Sequence, residues 1–326
     1  MTSAPTRIDL AGGTIDIWPL YLFHPGAQTI NAAISIRAHA RIDPRDDGRV
    51  VLRSEDTGVT VEADGWRALR ASTPLRLLAL LAHHFQAEGL TLTTRSESPA
   101  GAGLAGSSAL NVAVCAAFAR WRGLTIEPEA LLQIAMNVEA QTIDVPTGLQ
   151  DYRPAMYGGI AALELAVDGI HRHVLPVPAA ELERRLVLCY TGEPRNSGTN
   201  NWEITKRHID GDRHVFDCFE RIRDTADEMR TALVAGDWDR VGSAIAREWE
   251  NRKRLAPGVT TPVIDTLIAR AMAAGATAAK VCGAGGGGCL FCYGPPEAVP
   301  AIRAALADGG ARLLDFRLER DGLRRG

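Results

Sequence analysis

The sequence predicts an α+β protein built as two lobes around a cleft. Stretches with strand alternation and stretches with helical spacing are mixed without strict βα succession, the pattern of α+β folds. At 326 residues a single core usually gives way to two. Glycine, with 32 copies, is concentrated in three segments: Gly12-Gly13, Gly101 to Gly106 and Gly283 to Gly288.

A strand over residues 7–10 runs into the Gly12-Gly13 turn. Residues 28–42 alternate Ile and Ala at Ile34, Ile36, Ala38 and Ala40, and read as a long strand. Residues 49–53 and 59–61 are short strands bounded by Asp46-Asp47-Gly48 and Thr57-Gly58. Residues 74–88 place Leu77, Leu80, Leu81 and His84 at helical spacing, after Ser72-Thr73 and before Gly89. A strand over 90–96 follows, then helices over 107–120 and 128–141, with His171 and His173 alternating on a later strand. Asp168-Gly169 and Pro176-Val177-Pro178 break the pattern and place a lobe boundary near 168–185, giving domains 1–178 and 179–326. The second half turns helical over 214–234, 238–253 and 261–274, closed by Gly236, Pro257 and Gly275. Strands over 278–282, 289–293 and 312–316 end the chain.

Composition excludes several classes. Hydrophobic residues are 46% and charged residues 23% of the chain, which a disordered protein would not show. The net charge of −3 leaves no positive excess for nucleic acid. The first residues lack a signal-peptide pattern, and the most apolar stretch, near residues 75–85, is broken by Arg76, His83 and His84, well short of the roughly 18 apolar residues of a membrane span. The six cysteines have no disulfide spacing. A cytoplasmic protein with no membrane or nucleic-acid partner is expected.

Four segments carry chemistry. Pro99-Ala-Gly-Ala-Gly-Leu-Ala-Gly-Ser-Ser-Ala109 joins a strand to a helix. Glycines let the backbone approach a ligand, the helix start offers free N–H groups to an anion, and Ser107 and Ser108 can bond a phosphate oxygen or Mg²⁺. No Gly-Lys-Ser/Thr of a Walker loop is present, and no Gly-x-Ser-x-Gly elbow. Lys280-Val-Cys-Gly-Ala-Gly-Gly-Gly-Gly-Cys289 holds five glycines in six positions, costly to order unless the backbone must approach something closely. Cys289 and Cys292 fall on opposite faces of a strand and read as core thiols. Pro5 to Asp16 delivers Arg7 and Asp16 around the Gly12-Gly13 turn. Alone, these read as a surface charge and a cap. Glu139, late in a helix, and Asp151, after Thr147-Gly148, have equally plain readings as a solvated residue and a cap.

In this order and spacing the segments resemble the three motifs of the GHMP kinase superfamily, across essentially the whole chain. Arg7-Ile-Asp-Leu-Ala-Gly-Gly, Gly148-Leu-Gln-Asp151 and Gly158-Gly159 are similar to the fucokinase and heptose 7-phosphate kinase branch. Tyr190 to Arg195, Trp249 to Lys253 and Lys280 look most like heptose kinases. Tyr152, where a second Gln is usual, and Thr14-Ile15-Asp16-Ile17-Trp18 depart from the branch pattern at the acceptor end.

The resemblance implies a two-lobed GHMP kinase fold, a ribosomal protein S5 domain 2-like N-terminal lobe with a ferredoxin-like C-terminal lobe, and an ATP-dependent sugar kinase. ATP would lie against Pro99, Gly101, Ala102, Gly103, Leu104, Ala105, Gly106, Ser107 and Ser108, with Mg²⁺ on Ser108 and Glu139. Asp151 would be the base, with Arg7 beside it. Asp16, Gly12, Gly13, Gly285, Gly286, Gly287 and Arg195 would form the acceptor side, and Arg195, Arg252 and Lys253 are candidates for an acceptor phosphate. The acceptor would be a small sugar or sugar phosphate, attacked at the anomeric hydroxyl, or another alcohol; a homodimer is compatible. A silent sugar sensor is the opposing reading, and the full set of Ser107, Ser108, Glu139 and Asp151 weighs against it.

Overall fold

The computed structural model describes residues 1–70, 72–194 and 197–326. Its first part runs β1 (Thr2–Ala11), β2 (Gln28–Pro44), β3 (Val50–Ser54), β4 (Val59–Ala63), α1 (Arg76–His84), β5 (Leu90–Ser96), α2 (Gly106–Trp121), α3 (Pro128–Ile143), α4 (Tyr152–Tyr157), β6 (Ile160–Ala166) and β7 (Gly169–Val174). It continues with α5 (Ala179–Glu183), β8 (Leu186–Tyr190), α6 (Ser197–Ile209), α7 (Arg213–Ala235), α8 (Trp238–Leu255), α9 (Pro262–Ala273), β9 (Ala278–Val281), β10 (Cys289–Tyr293), α10 (Val299–Asp308), β11 (Arg312–Leu314) and β12 (Arg324–Arg325).

Two sheets result. The larger has the order β12-β1-β2-β5-β3-β4, with β6 on β2 and β7 on β6. The smaller has the order β11-β8-β10-β9, the fourth, first, third and second of its strands, which is the ferredoxin-like arrangement. The chain crosses between sheets after β7. The tail then returns: β12 pairs with β1, and Leu318 bridges to Ile34. The first sheet is therefore closed by residues from beyond 178.

The β1–β2 ladder slips between Pro5 and Thr6. Proline has no N–H for the ladder, and such bulges bend a strand and re-aim its side chains. The Thr6 hydroxyl donates to the Ile36 carbonyl at 2.8 Å at this point. Arg7 is the next residue, so the bulge sets the angle at which its side chain leaves β1.

Helix ends follow their capping signals. Asp212 accepts from the His214 and Val215 N–H groups at the start of α7, and Gly236 closes it in the left-handed region. Thr261 caps α9 with Pro262 in its first turn. Helix α1 is shorter than the 74–88 expected, because Gln86 adopts φ +49° and ends it before Gly89.

The cores explain why no linker separates the lobes. Helices α1 to α4 cover one face of the large sheet with Leu81, Phe85, Val112 and Phe118. The other face, with Ile8, Leu10, Ile30 and Ile34, packs on Met229, Leu233 and Ile245 of α7 and α8 and on Phe291 of β10. One apolar layer is thus shared by both sheets; each such side chain contributes roughly 1.5–3 kcal/mol when buried. Cys289 lies in this layer and Cys292 on the opposite face of β10, as strand alternation requires. Among the described residues no helix is long and apolar enough to cross a membrane.

Candidate active site

The loop from β5 to α2 needs positive φ at three places. Gly101 (+66°), Gly103 (+78°) and Ala105 (+60°) supply them, the last as the residue that starts α2. Turning the chain this way leaves the first N–H groups of α2 facing an open cleft of about 340 Å³, within the range of small-molecule sites. Pro99, Gly101, Ala102, Gly103, Ala105, Gly106, Ser107 and Ser108 all line it. Leu104 does not: it is fully buried, and its carbonyl accepts from the Arg7 N–H at 3.0 Å.

The third glycine segment braces this loop from behind. The Cys289 N–H donates to the Ala102 carbonyl at 2.7 Å, and a Cβ on Gly288 would stand 2.7 Å from the Gly101 and Ala102 carbonyls. A side chain at 288 would therefore displace the loop.

Behind the start of α2, three hydroxyls converge on one carboxylate. Ser107 Oγ donates to Glu139 Oε1 at 2.6 Å, while Ser108 Oγ and the Tyr152 hydroxyl donate to Oε2 at 2.9 and 2.7 Å. Burial pushes the Glu139 carboxyl up against the stabilising pull of these donors. It also holds the Tyr152 hydroxyl well above its ordinary value, so that group stays a donor.

Beside the loop, β1 and the turn before α4 meet. Arg7 donates from Nε and Nη2 to Asp151 Oδ1 at 3.0 and 2.5 Å, and from Nη1 to the Gly103 carbonyl at 2.8 Å. Burial works against the Arg7 charge, but Asp151 and Asp9 outweigh it and raise the guanidinium above its ordinary value. Asp151 keeps 25% exposure on the cleft. Asp16 lies beneath, accepting from the Gln150 N–H at 2.9 Å and from its side-chain amide at 3.3 Å. Burial, and then the Asp151 charge, push Asp16 up to about 6.

The remaining expectations divide. Gly12 and Gly13 do not line the cleft; Gly12 approaches the Gln28 carbonyl and Gly13 the Arg252 and Asp9 side chains. The third segment reaches the cleft through Gly283 and Ala284, while Gly285 and Gly287 turn onto Val259 and Glu193 and the Gly286 N–H bonds the Val259 carbonyl. Arg195 lies outside the described residues. Arg252 is buried and donates to the Gly283 carbonyl, and Lys253 pairs with Glu250 at 2.6 Å, so neither reaches the cleft. Gln150, Tyr152, Asn201 and Thr14 line the cleft and were not singled out as site residues by sequence reasoning. Gln150 and Tyr152, flanking Asp151, and Thr14, near Asp16, carry a signal in the sequence; Asn201 carries none. Trp18 does not line the cleft and is 62% exposed.

Such a cleft suits phosphoryl transfer, which asks for alignment and charge neutralisation more than for covalent chemistry. Fold and cleft together define a small-molecule kinase. The family models of the GHMP kinases N terminal domain and the GHMP kinases C terminal match residues 72–159 and 229–312, and the chain belongs to the GHMP kinase family. It is 27% identical to the D-glycero-alpha-D-manno-heptose 7-phosphate kinase of Campylobacter jejuni, over 99% of this chain and 97% of that one. It is 26% identical, with the same coverage, to a mevalonate kinase of Thermococcus sibiricus. The solved D-glycero-D-manno-heptose 1-phosphate kinase of Bacteroides thetaiotaomicron superposes with a TM-score of 0.80 at 23% identity, over 99% of this chain and 97% of that one.

Proposed function

We propose that this kinase transfers the γ-phosphoryl group of ATP to a hydroxyl, the anomeric one, of a sugar or sugar phosphate of the heptose 7-phosphate kind. The observation that carries the reading is the Arg7–Asp151 pair, set on the same cleft as the glycine loop and the start of α2. The whole-length similarity to a heptose 7-phosphate kinase supports the acceptor class.

Both guanidinium bonds fall on Asp151 Oδ1, so Oδ2 would take the proton of the acceptor hydroxyl. Arg7 holds that carboxylate in place and ties it to the loop through Gly103. The N–H groups of the loop and of α2 would receive the triphosphate. Asp16, held by Gln150, would meet the acceptor's hydroxyls.

The donor set fits Mg²⁺. Ser107 and Ser108 give their protons to Glu139, which leaves oxygen lone pairs on Ser108 and the Glu139 carboxylate for a hard cation. One carboxylate and one hydroxyl are few ligands, and Mg²⁺ completes its shell with phosphate oxygens and water. The bound ion would neutralise charge on the transferring phosphoryl group.

A second reading, a kinase for another alcohol, is favoured by the similarity to mevalonate kinase at equal coverage. Acceptor-dependent ADP release separates the two. The panel holds hexoses, deoxyhexoses, heptoses, their terminal phosphates, a cyclitol and mevalonate, with Mg-ATP. Turnover on a sugar or sugar phosphate supports the first reading, turnover on mevalonate or the cyclitol alone the second, and no turnover on any acceptor opposes both in favour of a silent sensor.

A further inference from the structure

Four ionisable side chains sit directly behind the cleft and play no part in the chemistry above. Asp9 of β1, Lys280 of β9, and Glu248 and Arg252 of α8 are each at most 2% exposed. Asp9 Oδ2 accepts from Lys280 Nζ, and Asp9 Oδ1 from the Gly283 N–H, both at 3.0 Å. Arg252 donates to the Gly283 carbonyl and stands 3.7 Å from Asp9 Oδ2. Glu248 Oε1 is 3.6 Å from Lys280 Nζ and 3.8 Å from Arg252 Nη1. Arg7 Nη1 is 3.8 Å from Asp9 Oδ1.

Two features show that this cluster is built around the site rather than around the core. The first is Gly13: a Cβ there would lie 2.2 Å from Arg252 Nη1 and 2.8 Å from Asp9 Oδ2. The second glycine of the first motif is required by the cluster, not by the cleft. The second feature is charge. Arg7, Lys280 and Arg252 face Asp9 and Glu248, and the carboxylate that balances the third cation is Asp151, which is partly exposed on the cleft. Buried ion pairs add little stability over well-packed apolar residues, so the fold alone does not call for five buried charges here.

Arg7 and Asp9 are alternate residues of one strand and share a face. One reaches Asp151 and the loop; the other reaches the segment whose Gly283 and Ala284 form part of the cleft wall. We propose that Asp9 is a positioning residue for phosphoryl transfer. Its carboxylate docks the third glycine segment of the C-terminal lobe onto β1 and fixes the Arg7 guanidinium against Asp151. This rests on the reading of Arg7 and Asp151 as reaction residues.

The test uses Asp9→Asn, the charge-balanced double variant Asp9→Asn/Lys280→Met, and Asp151→Asn as a reference, all in the full chain. Thermal midpoints are taken without substrates, and kcat and the KM for ATP with the best acceptor. Asp9→Asn leaves Lys280 with Glu248 alone and one buried positive charge in excess, and should lower both the midpoint and kcat, the latter at least tenfold, with KM for ATP within twofold. The double variant should recover much of the midpoint while kcat stays at least tenfold down. Recovery of kcat together with the midpoint overturns the inference, as does a wild-type kcat in the single variant. Failure of both variants to fold overturns it too, by making the cluster a folding requirement. Should Asp151→Asn itself turn over normally, the functional reading falls, whatever the Asp9 variants do.

Discussion

Tyr152 donates its hydroxyl to Glu139 at 2.7 Å, and the residue before it in the chain is Asp151. One short stretch of backbone thus carries both the carboxylate that meets Arg7 and the hydroxyl that anchors the carboxylate beside α2. Through Glu139, which also accepts from Ser107 and Ser108, the start of α4 is tied to the start of α2.

Tyr152→Phe keeps the ring in the core but removes one donor to a buried carboxylate. A hydrogen bond to a charged group is worth about 1.5–3 kcal/mol. The variant is expected to lose stability in that range in urea unfolding, with its slope against denaturant unchanged. A loss below about 0.5 kcal/mol would mean that the hydroxyl is satisfied elsewhere.

Ser108→Ala and Glu139→Gln both weaken the oxygen donors of the proposed Mg²⁺ site. Each should raise the Mg²⁺ concentration needed for half-maximal ADP release several-fold, and the Gln variant more, since it also removes a charge. The check is a Mg²⁺ titration at saturating ATP and acceptor. Wild-type dependence in both variants would remove these residues from the metal site.

Asp151→Asn keeps the shape of the cleft and one oxygen for the Arg7 guanidinium, while removing the proposed proton acceptor. Turnover is expected to fall at least a hundredfold, in line with the 10²–10⁴ of a positioned base, with the affinity for ATP unchanged. Single-turnover kinetics and nucleotide titration measure the two separately. Unaltered turnover would leave Asp151 as a structural partner of Arg7 only.

What the sequence revealed depended on whether a residue's role is local. The glycine loop and the two serines were legible because positive φ and a helix start leave their mark within a few positions. The strands and the capped helices followed from periodicity and from Asp, Thr and Gly at their ends. Burial between distant segments left no such mark. Arg252 reads in the sequence as a cation for an acceptor phosphate, yet it is enclosed by Asp9, Glu248 and Gly283. Within the third segment the run of glycines looks uniform, and only packing against Val259 and Glu193 separates Gly285 and Gly287 from the Gly283 and Ala284 that reach the cleft. Tyr152 stands out in the sequence as a departure from a pattern, and Glu139 as a candidate ligand, but that the two are hydrogen-bonded shows only in three dimensions.

Asp16 gives the protein a stability that falls as pH rises. Its carboxyl is held at about 6 in the fold against an ordinary 3.8, by burial first and then by the charge of Asp151. A carboxyl whose folded value lies above its unfolded one favours the fold while protonated. That contribution is complete below about pH 3.8, declines through the interval up to about 6, and is gone above it, a change of roughly 3 kcal/mol. Asp16→Asn cannot ionise. Its oxygen can still accept from the Gln150 N–H, and once the Gln150 side-chain amide, which now donates to the other carboxylate oxygen, turns over, the new amide can donate to Gln150 Oε1, a buried atom without a hydrogen-bond partner among the described residues. The variant should therefore gain on the wild type between pH 4 and pH 8 by an amount approaching that figure, and be the more stable protein at pH 8. The same change should raise the KM for the acceptor if the carboxylate meets its hydroxyls as proposed; stability surrendered at a working site is a familiar trade. Urea unfolding of both proteins at the two pH values measures the gain directly. A difference between variant and wild type that is the same at pH 4 and pH 8 would mean that Asp16 ionises in the fold as it does in water, and that the buried carboxylate beneath Asp151 carries no such cost.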